Sequence, residues 1–238
     1  MSVNFFPDKE GCPKPDEETI NNYKDLFKEY GNNLPSLEEA LLHLYNSAGF
    51  SEEESNKYTN DILDKTKYKL NFKDFYNNKI KKEYPNISFE EAQIIASYTY
   101  EADNETYSPY RILNINLVEE DRKNGLKKIS KYFYILLLSL RKLPKYIPEK
   151  KVLYRCIRKK VNYMYDPNKG EKNNCYCINN TKTFWAFSSC SLERDFTFLK
   201  EKNNGYKEGT IFTISGNVWG YEISLFNVCG ENEILLEP

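Results

Sequence analysis

The chain changes character between Pro144 and Pro148. Before these prolines, apolar residues recur at the three- and four-residue spacing that is typical of helices. After them, the apolar segments are short and rich in β-branched and aromatic residues, which is typical of strands. Helices followed by strands predict an α+β fold, in which a helical N-terminal part precedes a strand-rich part.

Short sequence signals predict where the helices begin. Ser-x-x-Glu sequences start at Ser36, Ser51 and Ser88, and each has the spacing of a capping box. Ser108-Pro109 predicts another start, because proline suits the first position of a helix. The apolar face of one further predicted helix consists of Phe72, Phe75, Tyr76 and Ile80. The last predicted helix carries a continuous apolar stripe formed by Ile129, Phe133, Leu136, Leu137 and Leu140.

The strand-rich part contains several predicted strands. They cover residues 152–157, 161–165, 183–189, 209–215, 221–226 and 233–236. The sequence Asp-Pro-Asn-Lys-Gly at 166–170 predicts a turn. Residues 192–200 are predicted to form a short helix, so this part is not purely β.

The composition argues against several classes of function. A formal net charge of −1 gives no global attraction to nucleic acid or to an anionic membrane surface. The single histidine, His43, lies inside a helical pattern, which disfavours histidine-based hydrolysis. The six cysteines lack the spacing of zinc ligands, so we expect no metal site. Because the net charge is close to zero, we also expect no nucleic-acid partner.

Targeting and membrane segments are not expected either. Residues 1–18 are polar and lack the apolar core of a secretory signal. The longest apolar run, residues 132–138, is too short to cross a bilayer. We therefore expect reduced cysteines, no membrane partner, and a protein that is cytoplasmic or is delivered into a cell by another route.

Three segments carry the residues best suited to chemistry. Arg155 lies in an apolar predicted strand, where its guanidinium can pair with phosphate. Ser189 ends an aromatic strand, and Glu231 and Glu233 precede the apolar residues 234–236. Each also has a structural explanation when taken alone. The arginine can point outward, the serine can end a strand, and the glutamates can lie exposed at a sheet edge.

Taken in order, these segments resemble the motifs of the arginine–serine–glutamate class of mono-ADP-ribosyltransferases. That family has a strand ending in Tyr-Arg-Gly, a Phe-x-Ser-x-Ser strand, and a Glu-x-Glu sequence before an apolar strand. The matching sequences here are Tyr154-Arg155, Phe187-Ser-Ser-Cys-Ser and Glu231-Asn-Glu233. The segments that resemble the family's helical landmarks are 90–99, 110–114 and 140–144.

The resemblance covers residues 84–238. It implies helices over 84–144, followed over 150–238 by a split, mainly antiparallel β-sandwich core that binds NAD. Residues 1–80 contain no landmark of the family, and we interpret them as a helical N-terminal arm of unknown role.

By the same resemblance, NAD is the co-substrate, and Tyr154, Arg155 and Cys156 lie on the strand that binds it. Arg155 would hold the phosphates and the nicotinamide-side ribose. The backbone of Cys156 would contact the nicotinamide amide. Phe198, or as a less favoured alternative Phe196, would stack on the nicotinamide ring, although both residues also fit a place in the core. Cys156 replaces the usual glycine of the motif, which adds bulk where the backbone approaches the nicotinamide.

The resemblance also implies how the catalytic step works. Ser189 would brace Glu233, and Glu233 would hydrogen-bond the ribose 2′-hydroxyl and stabilise an oxocarbenium-like centre as nicotinamide leaves. In the family, a glutamate at the position of Glu231 accompanies arginine as the acceptor. The segment 217–230, with Trp219 and Phe226, would be the turn that faces that acceptor.

The predicted activity is therefore the transfer of ADP-ribose from NAD to an arginine side chain of a target protein, by an enzyme of the toxin or effector type. Two alternatives stay open. One is an NAD glycohydrolase, in which water is the acceptor. The other is an NAD-binding or interaction module on the same fold with weakened catalysis.

Overall fold

The computed structural model describes most of the helical part of the chain and selected segments of the strand-rich part. The described residues are 28, 30, 33–66, 72–102, 105–118, 121–149, 152–157, 186–194, 210–216, 218–227 and 232–238. The predictions that fall outside them concern the strand 161–165, the turn 166–170, most of the helix 192–200, Glu231, Phe196 and Phe198.

Within the described residues, six helices precede the strands. They are α1 (Leu37–Ser47), α2 (Glu52–Asp64), α3 (Phe72–Phe75, continued by a π-helical stretch at Tyr76–Ile80 and by Lys81–Glu83), α4 (Phe89–Tyr98), α5 (Pro109–Leu117) and α6 (Arg122–Leu140). Together with the strands that follow them, they confirm the predicted α+β class.

The predicted capping boxes are confirmed. At the start of α1, the Glu39 N–H donates to Ser36 Oγ at 3.2 Å, and the Ser36 N–H donates to Glu39 Oε2 at 2.9 Å. The same reciprocal pairs begin α2 at Ser51 and α4 at Ser88. Pro109 begins α5, as predicted. Each box satisfies backbone amides of the first turn, which have no partner within the helix.

The apolar stripe predicted on α6 is buried. Its members are at most 1% exposed: Ile129, Phe133, Leu136, Leu137 and Leu140. Helix α6 packs against α1, α4 and α5. The stripe therefore forms the centre of the helical core.

The first helices share this core. One cluster of buried apolar residues extends from Leu37 in α1 and Ile62 in α2 to Leu235 near the C-terminal end of the sequence. Helix α1 packs directly on α6, and α3 contacts α4. From residue 33 onward, the described packing therefore has no boundary near residue 80, where the N-terminal arm was predicted to end.

The predicted apolar face of α3 is largely confirmed. Phe72, Tyr76 and Ile80 are 3%, 7% and 0% exposed. Phe75 is 37% exposed. Because successive helical residues advance by about 100°, Phe75 falls on the flank of the face that the other three share.

Two small antiparallel sheets follow the helices in the described residues. Their strands are β1 (Lys145–Tyr146), β2 (Val152–Ile157), β3 (Ser188–Cys190), β4 (Thr210–Ser215), β5 (Gly220–Glu222) and β6 (Ile234–Leu236). One sheet has the strand order β1-β5-β6-β3, and the other pairs β2 with β4. The two sheets meet where Tyr154 and Ser191 exchange backbone hydrogen bonds of 2.9 and 2.7 Å.

The strand predicted over 221–226 is wrong in its second half. Strand β5 ends at Glu222, and Ser224–Phe226 forms a 3₁₀ turn instead. Phe226 is 1% exposed, and its ring stacks on Tyr84 of the helical layer at a centroid distance of 5.7 Å. Burial of this ring against the helices draws the chain out of the sheet.

Gly220 allows β5 to lie close to β6. A Cβ atom at this position would lie 2.8 Å from the Leu235 carbonyl oxygen and 2.8 Å from Cγ2 of Ile234. Real Cβ atoms do not approach other atoms so closely, and a carbonyl oxygen within a paired strand has little room to move. The close pairing of these strands therefore requires glycine at this position.

A half-buried ion pair connects the residue after β6 to the residue after α6. Arg141 donates from Nε to Glu237 Oε1 at 3.1 Å and from Nη2 to Oε2 at 3.3 Å. The Tyr221 hydroxyl donates to Glu237 Oε1 at 3.0 Å. A bidentate arginine–carboxylate pair constrains orientation as well as distance, so this cluster helps to set the position of β6.

We predict that Tyr221→Phe lowers the free energy of unfolding by about 1.5–3 kcal/mol, the usual contribution of a hydrogen bond to a charged group. Chemical denaturation measures this cost. The matched control is Tyr146→Phe, because no hydrogen bond of the Tyr146 hydroxyl is seen among the described residues. If both substitutions cost the same, the hydroxyl bond to Glu237 does not stabilise the fold.

Candidate functional site

The three predicted site segments lie on neighbouring strands. Arg155 is on β2, Ser189 is on β3, and Glu233 directly precedes β6. Strand β3 pairs with β6 on one side and meets β2 on the other, through the Tyr154–Ser191 bridge. Strand β3, the serine strand with Ser189, therefore lies between β2, which carries Arg155, and β6, which follows Glu233.

Glu233 is buried and held at several points. Only 7% of it is exposed. Its carboxylate Oε2 accepts a hydrogen bond from Asn227 Nδ2 at 2.9 Å. Its N–H donates to Ser224 Oγ at 3.1 Å, and its carbonyl oxygen accepts from the Ile223 N–H at 3.0 Å. A buried carboxylate is costly unless it is hydrogen-bonded, so the loop that contains Asn227 helps Glu233 to remain in this position.

Ser189 occupies a different environment from its neighbours. Ser188 and Cys190 are buried, whereas Ser189 is exposed and lies opposite Leu235 in the register of β3 and β6. Among the described residues, the hydrogen bond to the Glu233 carboxylate comes from Asn227 rather than from Ser189. The brace between Ser189 and Glu233 stays a prediction.

The charges of Arg155 and Glu233 act on the same buried groups. Burial raises the pKa of the Cys190 thiol to about 11, while the positive charge of Arg155 lowers it and the negative charge of Glu233 raises it. Burial also raises the pKa of the Tyr98 phenol; Glu233 raises it further and Arg155 lowers it. The same two buried side chains, Cys190 and Tyr98, are therefore influenced by both charges.

Tyr98 at the end of α4 and Asn114 on α5 border this site, and the sequence gave neither residue a role in it. The Asn114 amide Nδ2 donates to the Tyr98 hydroxyl at 3.3 Å. Asn114 Oδ1 accepts from the Phe187 N–H at 3.1 Å, immediately before the serine strand. The only sequence signal was that both residues fall in segments resembling helical landmarks of the family. Asn114 therefore ties α5 to the end of α4 and to the start of β3.

The remaining predicted residues have mixed outcomes. Tyr154 and Cys156 are half-buried on β2, next to Arg155. Phe226 was expected to face an acceptor, but it belongs to the helical core. Close to it in sequence, the half-buried Trp219 lies under the Lys145 ammonium at 3.9 Å, so this part of the loop carries a cation–π contact.

The described residues show neither a metal-binding cluster nor a helix suited to span a membrane. Within them, no group of three or more histidine, cysteine, aspartate or glutamate residues is arranged to hold a metal ion. In the same part of the chain, no helix combines the length and apolar character needed to cross a membrane.

Comparisons with known proteins found no match among family models, curated proteins or solved structures. A function for this site therefore has to rest on its own residues and on the resemblance of its motifs.

Proposed function

We propose that this protein transfers ADP-ribose from NAD to an arginine side chain of a target protein and releases nicotinamide. The observation that carries the proposal is the placement of Arg155 and Glu233 on opposite sides of β3. These residues come from separate sequence motifs: Arg155 lies on β2 and Glu233 directly precedes β6. Their charges act on the same two buried side chains, Cys190 and Tyr98. We further propose that the α+β arrangement is that of an ADP-ribosyltransferase.

Arg155 is the proposed phosphate-binding group. A guanidinium has a planar array of donors that matches two phosphate oxygens at once, and it stays charged at all physiological pH values. Arg155 is half-buried on β2, with Tyr154 fixed to the serine strand by its backbone. A cation held on a paired strand can orient the pyrophosphate of NAD and so fix the position of the attached ribose.

Glu233 is the proposed catalytic carboxylate. As the bond between the ribose C1′ and the nicotinamide nitrogen breaks, its electron pair leaves with nicotinamide and positive charge develops on the ribose. A buried carboxylate stabilises that charge more strongly than an exposed one, because little water screens it. The bond from Asn227 holds the carboxylate oriented before the reaction, so little reorganisation is needed.

The acceptor step completes the reaction. An arginine nitrogen of the target attacks C1′, a carbon–nitrogen bond forms, and the arginine loses a proton to a nearby base. Glu231, two residues before Glu233, is the proposed base and also pairs with the incoming guanidinium.

The direct test is to incubate the protein with NAD and a mixture of acceptor proteins, and to map the modified residues by mass spectrometry. We expect ADP-ribose on arginine side chains. Free ADP-ribose without modified protein would identify an NAD glycohydrolase instead. NAD binding without any release of nicotinamide would identify the non-catalytic module.

We predict that Glu231→Gln abolishes arginine modification but preserves NAD hydrolysis, because the amide cannot accept the proton of the guanidinium while water still reaches C1′. Quantifying nicotinamide and arginine-modified peptides in the same samples separates the two reactions. A parallel loss of both would contradict the role of Glu231 in the acceptor step, because it would place this residue in cleavage of NAD itself.

A further inference from the structure

The turn that follows β5 holds both the backbone and the side chain of Glu233. We call residues 223–227 the clamp turn. The Ile223 N–H donates to the Glu233 carbonyl oxygen at 3.0 Å, and Ser224 Oγ accepts from the Glu233 N–H at 3.1 Å. Asn227 Nδ2 donates to the carboxylate Oε2 at 2.9 Å. One short turn therefore supplies contacts to the peptide groups and to the carboxylate of the same residue.

The clamp turn is itself attached to the helical layer. The ring of Phe226 is buried and stacks on Tyr84 at a centroid distance of 5.7 Å, and its carbonyl oxygen accepts from Thr99 Oγ1 at 3.3 Å. Within the turn, the Asn227 N–H donates to the Ser224 carbonyl oxygen at 3.3 Å. Because Asn227 directly follows Phe226, these contacts limit how far its side-chain amide can move.

The chemistry of the two groups fixes which end of the Asn227 amide faces Glu233. An ionised carboxylate can only accept hydrogen bonds, so the amide has to present its nitrogen. A hydrogen bond to a charged acceptor is stronger than one between neutral groups, and Glu233 is only 7% exposed. Such a bond favours the charged form of the carboxylate, which is the form that the proposed reaction needs.

Ser189, the residue that the resemblance pairs with Glu233, lies in a different environment. The register of β3 and β6 places Ser189 opposite Leu235, two residues beyond Glu233. Diagonal neighbours of this kind in an antiparallel pair are typically about 7–8 Å apart. Ser189 is also exposed, whereas Glu233 is buried. The burial and the register both favour Asn227 as the side chain that orients the carboxylate.

We propose that Asn227, rather than Ser189, is the main positioning residue of Glu233, and that the helical layer sets its position through the clamp turn. Asn227 keeps the carboxylate charged and directed toward the positive charge that develops on the ribose. The catalytic consequence rests on the proposed function, whereas the hydrogen bond between the two side chains does not.

The first measurement is independent of catalysis. Asn227→Asp replaces the donor nitrogen with an oxygen, so two carboxylates meet where the hydrogen bond was. At slightly alkaline pH, we expect this variant to unfold at a clearly lower denaturant concentration than the wild type. Adding Glu233→Gln should restore most of the lost stability, because the new amide at position 233 can donate to the new carboxylate at position 227.

The double variant keeps this test decisive if the single variant does not fold, since its own folding then becomes the readout. An Asn227→Asp variant as stable as the wild type, or one that Glu233→Gln does not rescue, would overturn the inference whether or not the protein transfers ADP-ribose.

The second measurement is kinetic. We expect Asn227→Ala to lower the kcat of nicotinamide release roughly tenfold and to leave the KM for NAD unchanged, because the variant loses orientation of Glu233 and not binding. We also expect the acid limb of the kcat–pH profile to move to higher pH, since the charged carboxylate has lost a donor. A purely structural role would not move this limb.

The matched control is Asn116→Ala on α5, which removes an amide that donates to the Ile112 carbonyl oxygen at 2.8 Å away from the site. We expect it to keep the wild-type kcat and pH profile. An unchanged kcat in Asn227→Ala, an equal fall in the control, or a larger fall in Ser189→Ala would overturn the catalytic part.

The two measurements separate failure of this inference from failure of the proposed function. A wild type that releases no nicotinamide, while Glu233→Gln rescues Asn227→Asp, would refute the transferase and keep the contact between Asn227 and Glu233. An active wild type without this rescue would keep the transferase and refute the role of Asn227.

Discussion

Glu233→Gln is expected to lower both nicotinamide release and arginine modification by roughly 10²–10³-fold, the usual loss when one preorganised group that stabilises the transition state is removed. The change replaces a charged oxygen with a neutral amide of the same shape. It removes the negative charge that would face the oxocarbenium-like ribose. The loss is measured as the initial rate of nicotinamide release at saturating NAD.

The local structure predicts that this variant stays folded. The remaining carbonyl oxygen of glutamine can still accept the hydrogen bond from Asn227, and the backbone bonds to Ser224 and Ile223 do not involve the side chain. NAD binding, measured by calorimetry, is expected to remain near the wild-type value, because the proposed phosphate contacts come from Arg155 and not from Glu233.

A neighbouring carboxylate provides the matched control for this experiment. Glu222 on β5 lies opposite Ile234 in the register of β5 and β6, one residue away from Glu233 along the sheet. Glu222→Gln removes a negative charge from the same sheet but not from the proposed reacting centre, so we expect wild-type rates. Undiminished labelling by Glu233→Gln would refute the proposed function.

The helices were predictable because their signals are local in the sequence. A capping box joins residues three positions apart, as at Ser36 and Glu39, and proline at the first position of a helix acts on its own turn. The stripe on α6 repeats over several turns, and its period indicates which side is buried. None of these signals requires knowledge of a distant segment.

The sheet was less predictable because its limits depend on distant contacts. Residues 221–226 have the composition of a strand, yet Phe226 leaves the sheet to stack on Tyr84 in the helical layer. Gly220 permits the close pairing with β6, which is a property of the neighbouring strand rather than of its own segment. Strand propensity therefore located β5 but not its end.

The candidate site shows the same division. Arg155 and Glu233 were proposed as site residues from short motifs, whose chemistry is visible in a few consecutive residues. Asn114 and Asn227 were missed as site residues, because their role appears only when the chain brings them to Phe187 and Glu233. The bond from Phe187 to Asn114 spans 73 positions of the sequence, and an isolated asparagine gives no signal at such a separation.

The largest effect on stability is expected at Phe187. We predict that Phe187→Ala lowers the free energy of unfolding by about 3–5 kcal/mol, because it removes a buried aromatic ring and leaves a cavity. Phe187 is 1% exposed, and its ring packs edge-on against Tyr98 and Phe133 at centroid distances of 5.5 and 5.9 Å. Chemical denaturation measures the loss, and an unchanged m value would show that only the stability has changed.

Phe75 gives the matched comparison, since it is also a phenylalanine but is 37% exposed on the flank of α3. Phe75→Ala is expected to cost much less, because its ring is partly hydrated in the folded protein and its removal leaves no closed cavity. Equal costs would mean that the ring of Phe187 does not join the helical core to the serine strand. A much larger cost at Phe187 would mean that the fold depends on this contact, through which α4 and α6 support the strand between Arg155 and Glu233.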